Sequence, residues 1–222
     1  MSSERPSVFI VDDHGFFRAG LRSVLGEHGF PVVGEAPSGE AALPLIERRQ
    51  PDLVVMDMSM PGMSGAEATR EIMQRSPSTA VLVMTVSTGE ADVLDALDAG
   101  AAGYLLKDSQ PAEIVGAIET AVRGDTPLSP RIARLVVQRA RMAPSGQAST
   151  VAAADLTERE LDVLRLLADG RDNRQIAEAL YLSPTTVKRH VSSIVAKLGV
   201  SNRVQAAIWA VRAGLLYSSG SG

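Results

Sequence analysis

The chain has 222 residues, of which 45% are hydrophobic and 22% charged, and it contains no cysteine. This composition is ordinary for one or two globular domains, and the lack of cysteine excludes disulfides, cysteine nucleophiles and cysteine zinc sites. The apolar runs are too short for a membrane span or a signal peptide, so we expect a cytoplasmic protein. The net charge is −4, but the charges are unevenly distributed. Residues 1–125 carry 9 basic and 19 acidic side chains, whereas residues 173–222 carry 6 and 1, so only the C-terminal part of the chain suits a polyanion.

Short apolar runs alternate with amphipathic segments through residues 1–125. The runs predict strands, which we place at 8–11, 32–36, 53–57, 80–85 and 103–106. Each run is followed by apolar residues at helical spacing, such as Phe17 and Leu21 after the first run, and these predict five helices. Ser64 with Glu67 forms a capping box at the predicted start of the third helix. Strands that alternate with helices favour a parallel sheet covered on both faces. We therefore predict a doubly wound, five-stranded α/β domain of the flavodoxin-like kind.

The pattern changes after residue 125. Residues 126–154 are rich in small and polar side chains, as a linker is, with a possible helix at 129–142. Residues 155–222 predict four helices, because apolar residues recur at helical spacing between capping signals. We place the second of them at 175–180 and the last at 203–214. Thr157 with Glu160 predicts one helix start. We predict an all-α second domain.

Carboxylates gather where the first and third predicted strands end. Asp12 and Asp13 follow the first strand, and Asp57 follows the third. Three carboxylates at one edge of a sheet repel one another unless a cation joins them, and Mg²⁺ prefers such oxygen ligands. Thr85 ends the fourth strand and Lys107 follows the fifth, so a hydroxyl and an ammonium group are expected at the same edge. This set meets the needs of phosphoryl transfer to an aspartate.

Residues 5–125 resemble the receiver domain of bacterial two-component response regulators. The matching motifs are VDDH at 11–14, DMSMPGMSG at 57–65, the threonine at 85 and GYLLKD at 103–108. The resemblance implies that Asp57 accepts a phosphoryl group from a histidine kinase. It also implies that Asp12 and Asp13 help to bind Mg²⁺, and that the domain switches between two conformations.

The same resemblance implies roles for the residues at the ends of the last two strands. Thr85 and Lys107 would contact the phosphoryl oxygens, and Tyr104 would reorient when the domain switches. Val86 is larger than the residue that many receivers have after the threonine, so it is expected to restrict access to the phosphoryl group.

The third helix of the C-terminal part has an apolar stripe that includes Val187, Val191 and Ile194. This stripe turns a polar face outward. The residues of that face that we expect to contact DNA are Thr185, Thr186, Lys188, Arg189 and Ser192. A cation on such a face can contact a phosphate or a base edge in the major groove, which is wide enough to admit a helix.

The stretches LTERELDVLRLLADG and NRQIAEALYLSPTTVKRHVSSIVAKLGVSNRVQA resemble the LuxR-type helix-turn-helix. Together with the receiver, they make the chain similar to the NarL/FixJ class of response regulators almost from end to end. The resemblance implies that the third helix reads double-stranded DNA and that the last helix contributes to a homodimer. We therefore expect a phosphorylation-controlled transcription regulator, which is not an enzyme beyond its own phosphotransfer and dephosphorylation.

Two alternatives stay open at the level of sequence. In one, the protein is a DNA-binding dimer that uses its receiver only as a scaffold, because an intact site does not prove use. In the other, it is a phosphohydrolase with an aspartate nucleophile. Such enzymes usually have a second Asp two residues after the first, and here that position holds Ser59.

Overall fold

The computed structural model describes residues 5–86, 89–127 and 155–215. The chain divides into two compact units. The described residues up to 127 belong to the N-terminal unit, and residues 155–215 belong to the C-terminal unit. The possible helix at 129–142 and most of the predicted linker lie outside the described residues. Among the helices that are described, none has both the length and the apolar character needed to cross a membrane.

The N-terminal unit is built on a parallel sheet with the strand order β2-β1-β3-β4-β5. The strands are β1 (Val8–Val11), β2 (Val32–Ala36), β3 (Leu53–Met56), β4 (Ala80–Thr85) and β5 (Gly103–Leu106). All four pairings of neighbouring strands are parallel. The doubly wound fold predicted from the sequence is confirmed. Because β1 and β3 are neighbours with the same direction, their carboxyl ends meet at one edge of the sheet.

Helices cover both faces of this sheet. They are α1 (Gly15–Glu27), α2 (Gly39–Arg49), α3 (Gly65–Arg75), α4 (Glu90–Asp98) and α5 (Pro111–Val122). Successive residues of a strand point to opposite faces. Ile10 accordingly packs in a core cluster with residues of α1 and α5, whereas Phe9 packs in a second cluster with residues of α2 and α3. Both faces of the central strands β1 and β3 are buried, which explains why these strands read as continuous apolar runs.

The described part of the C-terminal unit is a bundle of short helices. They are α6 (Glu158–Ala168), α7 (Asn173–Leu180), α8 (Pro184–Leu198) and α9 (Arg203–Arg212). Each helix begins after an N-cap residue whose side chain accepts a hydrogen bond from a backbone N–H of the first turn. The N-cap residues are Thr157, Asp172, Ser183 and Asn202. One apolar cluster joins all four helices.

Most element ends agree with the predictions from periodicity, and the differences have local causes. The third strand was predicted to include Asp57, but β3 ends one residue earlier. The helix α7 begins at Asn173, two residues before the first residue that we predicted to be helical, because the Asp172 carboxylate caps it. The last helix ends at Arg212 rather than at Gly214, whose φ of 71° belongs to the left-handed region.

Candidate functional site

Backbone hydrogen bonds extend the parallel ladder one residue beyond three strands and place polar side chains at the edge. The Asp57 N–H donates to the Val11 carbonyl at 2.9 Å, and the Lys107 N–H donates to the Thr85 carbonyl at 2.9 Å. The Asp12 N–H donates to the carbonyl of the last residue of β2 at 3.2 Å. Because these residues continue paired strands, Asp12 lies opposite Asp57.

Lys107 joins the two buried carboxylates. Its Nζ lies 2.7 Å from Asp12 Oδ2 and 2.8 Å from Asp57 Oδ2. Both aspartate side chains are 2% exposed. The ammonium group also lies 4.7 Å from the centroid of the Phe17 ring, which is a cation–π distance. Two buried carboxylates would repel each other strongly if no cation were present, so Lys107 is the charge that makes this arrangement possible.

Burial and pairing shift the pKa values of this cluster. Burial raises the pKa of Asp57, and the hydrogen bond and charge of Lys107 offset only part of that effect. Burial lowers the pKa of Lys107, but its hydrogen bonds to Asp12 and Asp57 outweigh burial, so its pKa lies above the ordinary value. Lys107 therefore stays protonated beside Asp57.

The same edge has the donor set of a divalent cation site. One ligand atom from each of Asp12, Asp13, His14 and Asp57 can be chosen so that all lie within 4.8 Å of one another. Asp13 Oδ1 is a buried atom without a hydrogen bond, although His14 Nδ1 lies 2.7 Å away. Three carboxylates with an unsatisfied oxygen fit Mg²⁺, which prefers hard oxygen ligands. The residues present therefore fit the cation that the resemblance to receiver domains implies.

Thr85 and Tyr104 lie on the two strands that complete this side of the sheet. Thr85 is the last residue of β4 and is fully buried. Tyr104 pairs with Val83 in the β4–β5 register, and its side chain is also fully buried. Burial, with the charges of Asp92 and Asp57, raises the pKa of Tyr104 to about 12, so its hydroxyl is protonated at neutral pH.

The loop after Asp57 is held by the start of α3. Ser64 and Glu67 form the predicted capping box. Gly65 lies so close to Asp57 that a Cβ added at this position would stand 2.1 Å from the Asp57 carbonyl oxygen. Only glycine allows this approach. Val86, the residue after Thr85, is 76% exposed, so its apolar side chain projects into solvent directly after the end of β4.

The C-terminal unit presents the predicted polar face of α8. Val187, Val191 and Ile194 are buried against the other helices. Opposite them, the exposed residues are Thr185, Lys188, Arg189 and Ser192. Thr186 is only partly exposed, and its hydroxyl lies 2.8 Å from that of Ser183. The Ser192 hydroxyl donates to the carbonyl of Lys188 at 3.1 Å, within its own helix.

A buried carboxylate ties α6 to α8. Glu160 accepts a hydrogen bond from the Ser193 hydroxyl at 2.6 Å and one from Lys197 Nζ at 2.7 Å. Glu160 also accepts from the N–H and hydroxyl of Thr157, which completes the capping box. Lys197 is thus part of the support of α8. It is not one of the cations on the exposed polar face.

Three features of these sites were missed by reasoning from the sequence. His14 was counted only as part of a motif, although it directly follows the two aspartates. Phe17 was assigned to the apolar stripe of α1, but its ring also lies under Lys107. Glu160 was predicted only as a capping residue. Its partners Ser193 and Lys197 are 33 and 37 residues away along the chain, and no local pattern links them.

Two family models match the chain. Residues 8–119 match the response regulator receiver domain, and residues 154–210 match the bacterial regulatory proteins of the luxR family. The nitrate/nitrite response regulator protein NarL of Escherichia coli (strain K12) is 37% identical over 212 residues, which is 94% of this chain and 97% of that protein. The transcriptional regulatory protein DegU of Brevibacillus brevis is 35% identical, with 96% of each chain covered.

Solved structures give the same result. The response regulator ChrA of a heme-sensing two-component system has 36% identity and a TM-score of 0.52, with 96% of this chain and 100% of that chain covered. A structure of two RcsB dimers bound to two parallel DNAs has 25% identity and a TM-score of 0.56, with 94% and 98% covered. The chain therefore belongs to the two-component response regulators of the NarL class, which join a receiver domain to a LuxR-type helix-turn-helix domain.

Proposed function

We propose that this protein is a DNA-binding transcription regulator controlled by phosphorylation of Asp57. The observation that carries the proposal is the pairing of a buried Asp57 carboxylate with Lys107 Nζ at 2.8 Å beside Asp12. The domains would be a receiver at 1–125, a linker at 126–154 and a DNA-binding domain at 155–222. The direct test is intact mass after incubation with acetyl phosphate and Mg²⁺, which should show a gain of one phosphoryl group.

The phosphoryl donor would be a phosphohistidine of a histidine kinase. An Asp57 carboxylate oxygen attacks the phosphorus, so a P–O bond forms while the P–N bond breaks, and the imidazole leaves with the bonding pair and takes up a proton. Lys107 would move its hydrogen bond from Asp57 Oδ2 to a phosphoryl oxygen, and the Thr85 hydroxyl would contact another. This chemistry requires positioning and charge more than covalent assistance, and the buried cluster supplies both.

Mg²⁺ would be held by Asp12, Asp13 and Asp57, and when bound it supplies positive charge to the phosphoryl oxygens. We expect Asp13→Ala to weaken Mg²⁺ binding by about tenfold or more, because one oxygen ligand and one negative charge are lost. Isothermal titration of the chain with Mg²⁺ measures this directly. The matched control is Glu47→Ala, which removes an exposed carboxylate from α2. Equal Mg²⁺ affinities for the two variants would contradict the assignment of Asp13.

Phosphorylation would act by shifting the receiver between two conformations. Thr85 and Tyr104 are the proposed switch residues, because Thr85 ends the strand beside β3 and Tyr104 is buried on the neighbouring strand. A hydroxyl drawn toward a phosphoryl group changes the space next to it, and a buried ring can respond to that change. The shifted receiver would favour a homodimer, which places two DNA-binding domains on one target.

The DNA-binding domain would place α8 in the major groove. Thr185, Thr186, Lys188, Arg189 and Ser192 are the proposed contact residues. The similar RcsB structure contains dimers bound to DNA, which supports both a double-stranded DNA ligand and a homodimer for this chain. Because the target would be the bacterial chromosome, we propose that the protein acts in the cytoplasm.

We expect Lys188 and Arg189 to contact different parts of the DNA. We expect Lys188→Ala to cost about 1–3 kcal/mol at one base position and to relax specificity there, which is the loss of a base contact. Arg189→Ala should weaken binding to all sequences alike and flatten the slope of log affinity against log salt by about 0.9, which is the loss of a phosphate contact. Titrations against a selected site and against scrambled DNA, at several salt concentrations, separate these outcomes.

The control for this pair is Arg48→Ala, which removes an exposed cation from the N-terminal unit. It should leave affinity, slope and discrimination unchanged. If both α8 variants behave as Arg48→Ala does, the polar face is solvated surface and α8 does not enter the groove.

The phosphohydrolase alternative lacks support in the geometry. Such enzymes usually have a second Asp two residues after the nucleophile. Here that residue is Ser59, whose backbone N–H donates to Asp57 Oδ1 at 3.3 Å. We therefore propose that the chain turns over no separate substrate.

A further inference from the structure

The four described helices of the C-terminal unit end with the same backbone conformation, but the residue that adopts it differs in type after one of them. Each is followed by a residue in the left-handed conformation. After α6, α8 and α9 this residue is glycine, at Gly170, Gly199 and Gly214 with φ of 76°, 64° and 71°. After α7 it is Tyr181, with φ of 55°. In all four cases the N–H of the next residue donates to a carbonyl five residues back, as from Leu182 to Ala177 at 2.8 Å.

Tyrosine is a poor residue for this position. In the left-handed conformation the Cβ of an L-residue crowds its own backbone, and glycine avoids this crowding. A bulky side chain at positive φ is therefore an outlier that calls for an explanation. Packing does not provide one, because Tyr181 is 96% exposed. The apolar contact at this helix end is made by the next residue, Leu182, which packs against the core.

The place of Tyr181 in the unit indicates what its side chain could contact. It lies in the turn between α7 and α8, two residues before Ser183, the N-cap of α8. The helix α8 carries the exposed Lys188 and Arg189. When such a helix enters the major groove with its first turns leading, the residues just before it come next to the sugar–phosphate backbone. An exposed tyrosine there offers a hydroxyl donor to a phosphate oxygen and a ring to the deoxyribose.

We propose that Tyr181 is a DNA-contacting residue whose hydroxyl donates a hydrogen bond to a backbone phosphate. The strained tyrosine is kept in place of glycine because its side chain binds DNA. This inference rests on the proposed DNA-binding function and adds to it a contact outside α8. The contact is to phosphate, so it adds affinity without selecting a sequence.

Two substitutions separate binding from folding. Tyr181→Gly removes the side chain and relieves the strain, so the C-terminal unit should become more stable, with a Tm higher by about 4–8 °C. Tyr181→Phe removes only the hydroxyl and should leave Tm unchanged. Trp209 is the single tryptophan of the chain and lies in α9, so its fluorescence follows the unfolding of this unit alone.

DNA binding is measured with the full chain after incubation with acetyl phosphate and Mg²⁺, on a mixed-sequence duplex. We expect about tenfold weaker binding for Tyr181→Gly and a several-fold loss for Tyr181→Phe, since a hydrogen bond to a charged group is lost in both. A neutral donor releases no counterion, so the slope of log affinity against log salt should stay as in the wild type. Arg189→Ala, which should change that slope, is the comparison variant.

A more stable Tyr181→Gly variant that binds DNA less well supports the proposal, because a residue with a structural role alone cannot show this combination. Unchanged affinity for either variant overturns it. A change of oligomeric state with unchanged affinity also overturns it, since it would make Tyr181 a protein contact. If the wild type binds no duplex, the proposed DNA-binding function is wrong. If the wild type binds the duplex but no more tightly than its Tyr181 variants, only the proposed role of Tyr181 is wrong.

Discussion

Replacing Asp57 with Asn should abolish the Mg²⁺-dependent gain of one phosphoryl group when the protein is incubated with acetyl phosphate. The amide is nearly isosteric with the carboxylate but is a much weaker nucleophile and cation ligand, so both the attack on phosphorus and the metal site are lost. Intact-mass spectrometry measures the result. The matched control is Asp108→Asn, which removes an exposed carboxylate one residue after Lys107 and should be labelled as the wild type is.

Undiminished labelling of Asp57→Asn would contradict the assignment of Asp57 as the phosphoacceptor. The same variant also decides whether the receiver is used as a switch. We expect acetyl phosphate to strengthen DNA binding and dimerisation of the wild type and to leave Asp57→Asn unaffected. If the wild type is labelled and yet binds DNA equally well before and after labelling, the receiver acts only as a dimerisation scaffold.

Replacing Glu160 with Gln should destabilise the C-terminal unit by about 2–3 kcal/mol. Breaking a buried ion pair typically costs about 3–5 kcal/mol. We expect a smaller cost for Glu160→Gln because Lys197 is 34% exposed and can be solvated when its partner is neutral. Denaturant unfolding followed by Trp209 fluorescence measures the change. The control is Glu158→Gln, which neutralises an exposed carboxylate in the same first turn of α6, and equal effects of the two substitutions would contradict a special role for Glu160.

The contribution of Glu160 should also depend on pH in a defined direction. Burial raises its pKa, but hydrogen bonds from Lys197, Ser193 and Thr157 outweigh burial and lower the pKa to about 2, below the ordinary value of 4.5. A carboxyl whose folded-state pKa is depressed stabilises the fold above its unfolded-state pKa, and this stabilisation is lost as the pH falls through the folded-state value. The stability difference between wild type and Glu160→Gln should therefore be full near pH 7 and shrink between about pH 5 and pH 2. If the stability difference between wild type and Glu160→Gln grew on acidification, the predicted direction of the Glu160 pKa shift would be wrong.

The sequence by itself determined the elements of this protein. A strand buried on both faces must be apolar throughout, so β1 and β3 could be read as runs that stop at a carboxylate. Capping is equally local, because a side chain three residues away satisfies the first N–H groups of a helix. This is why the starts of α3 and α6 were predicted at Ser64 and Thr157. Parallel strands also bring their carboxyl ends together, so the sequence predicted which residues would share an edge.

Only the tertiary structure decided how those residues interact. Lys107 is 50 residues from Asp57 along the chain, and its position between two carboxylates depends on the register of four strands. The link from Glu160 to Lys197 depends in the same way on the packing of α6 against α8. The left-handed conformation of Tyr181 also could not be predicted from the sequence, because helix ends of this kind usually have glycine. Distances and backbone strain arise from contacts between distant segments, whereas periodicity and capping are properties of neighbours.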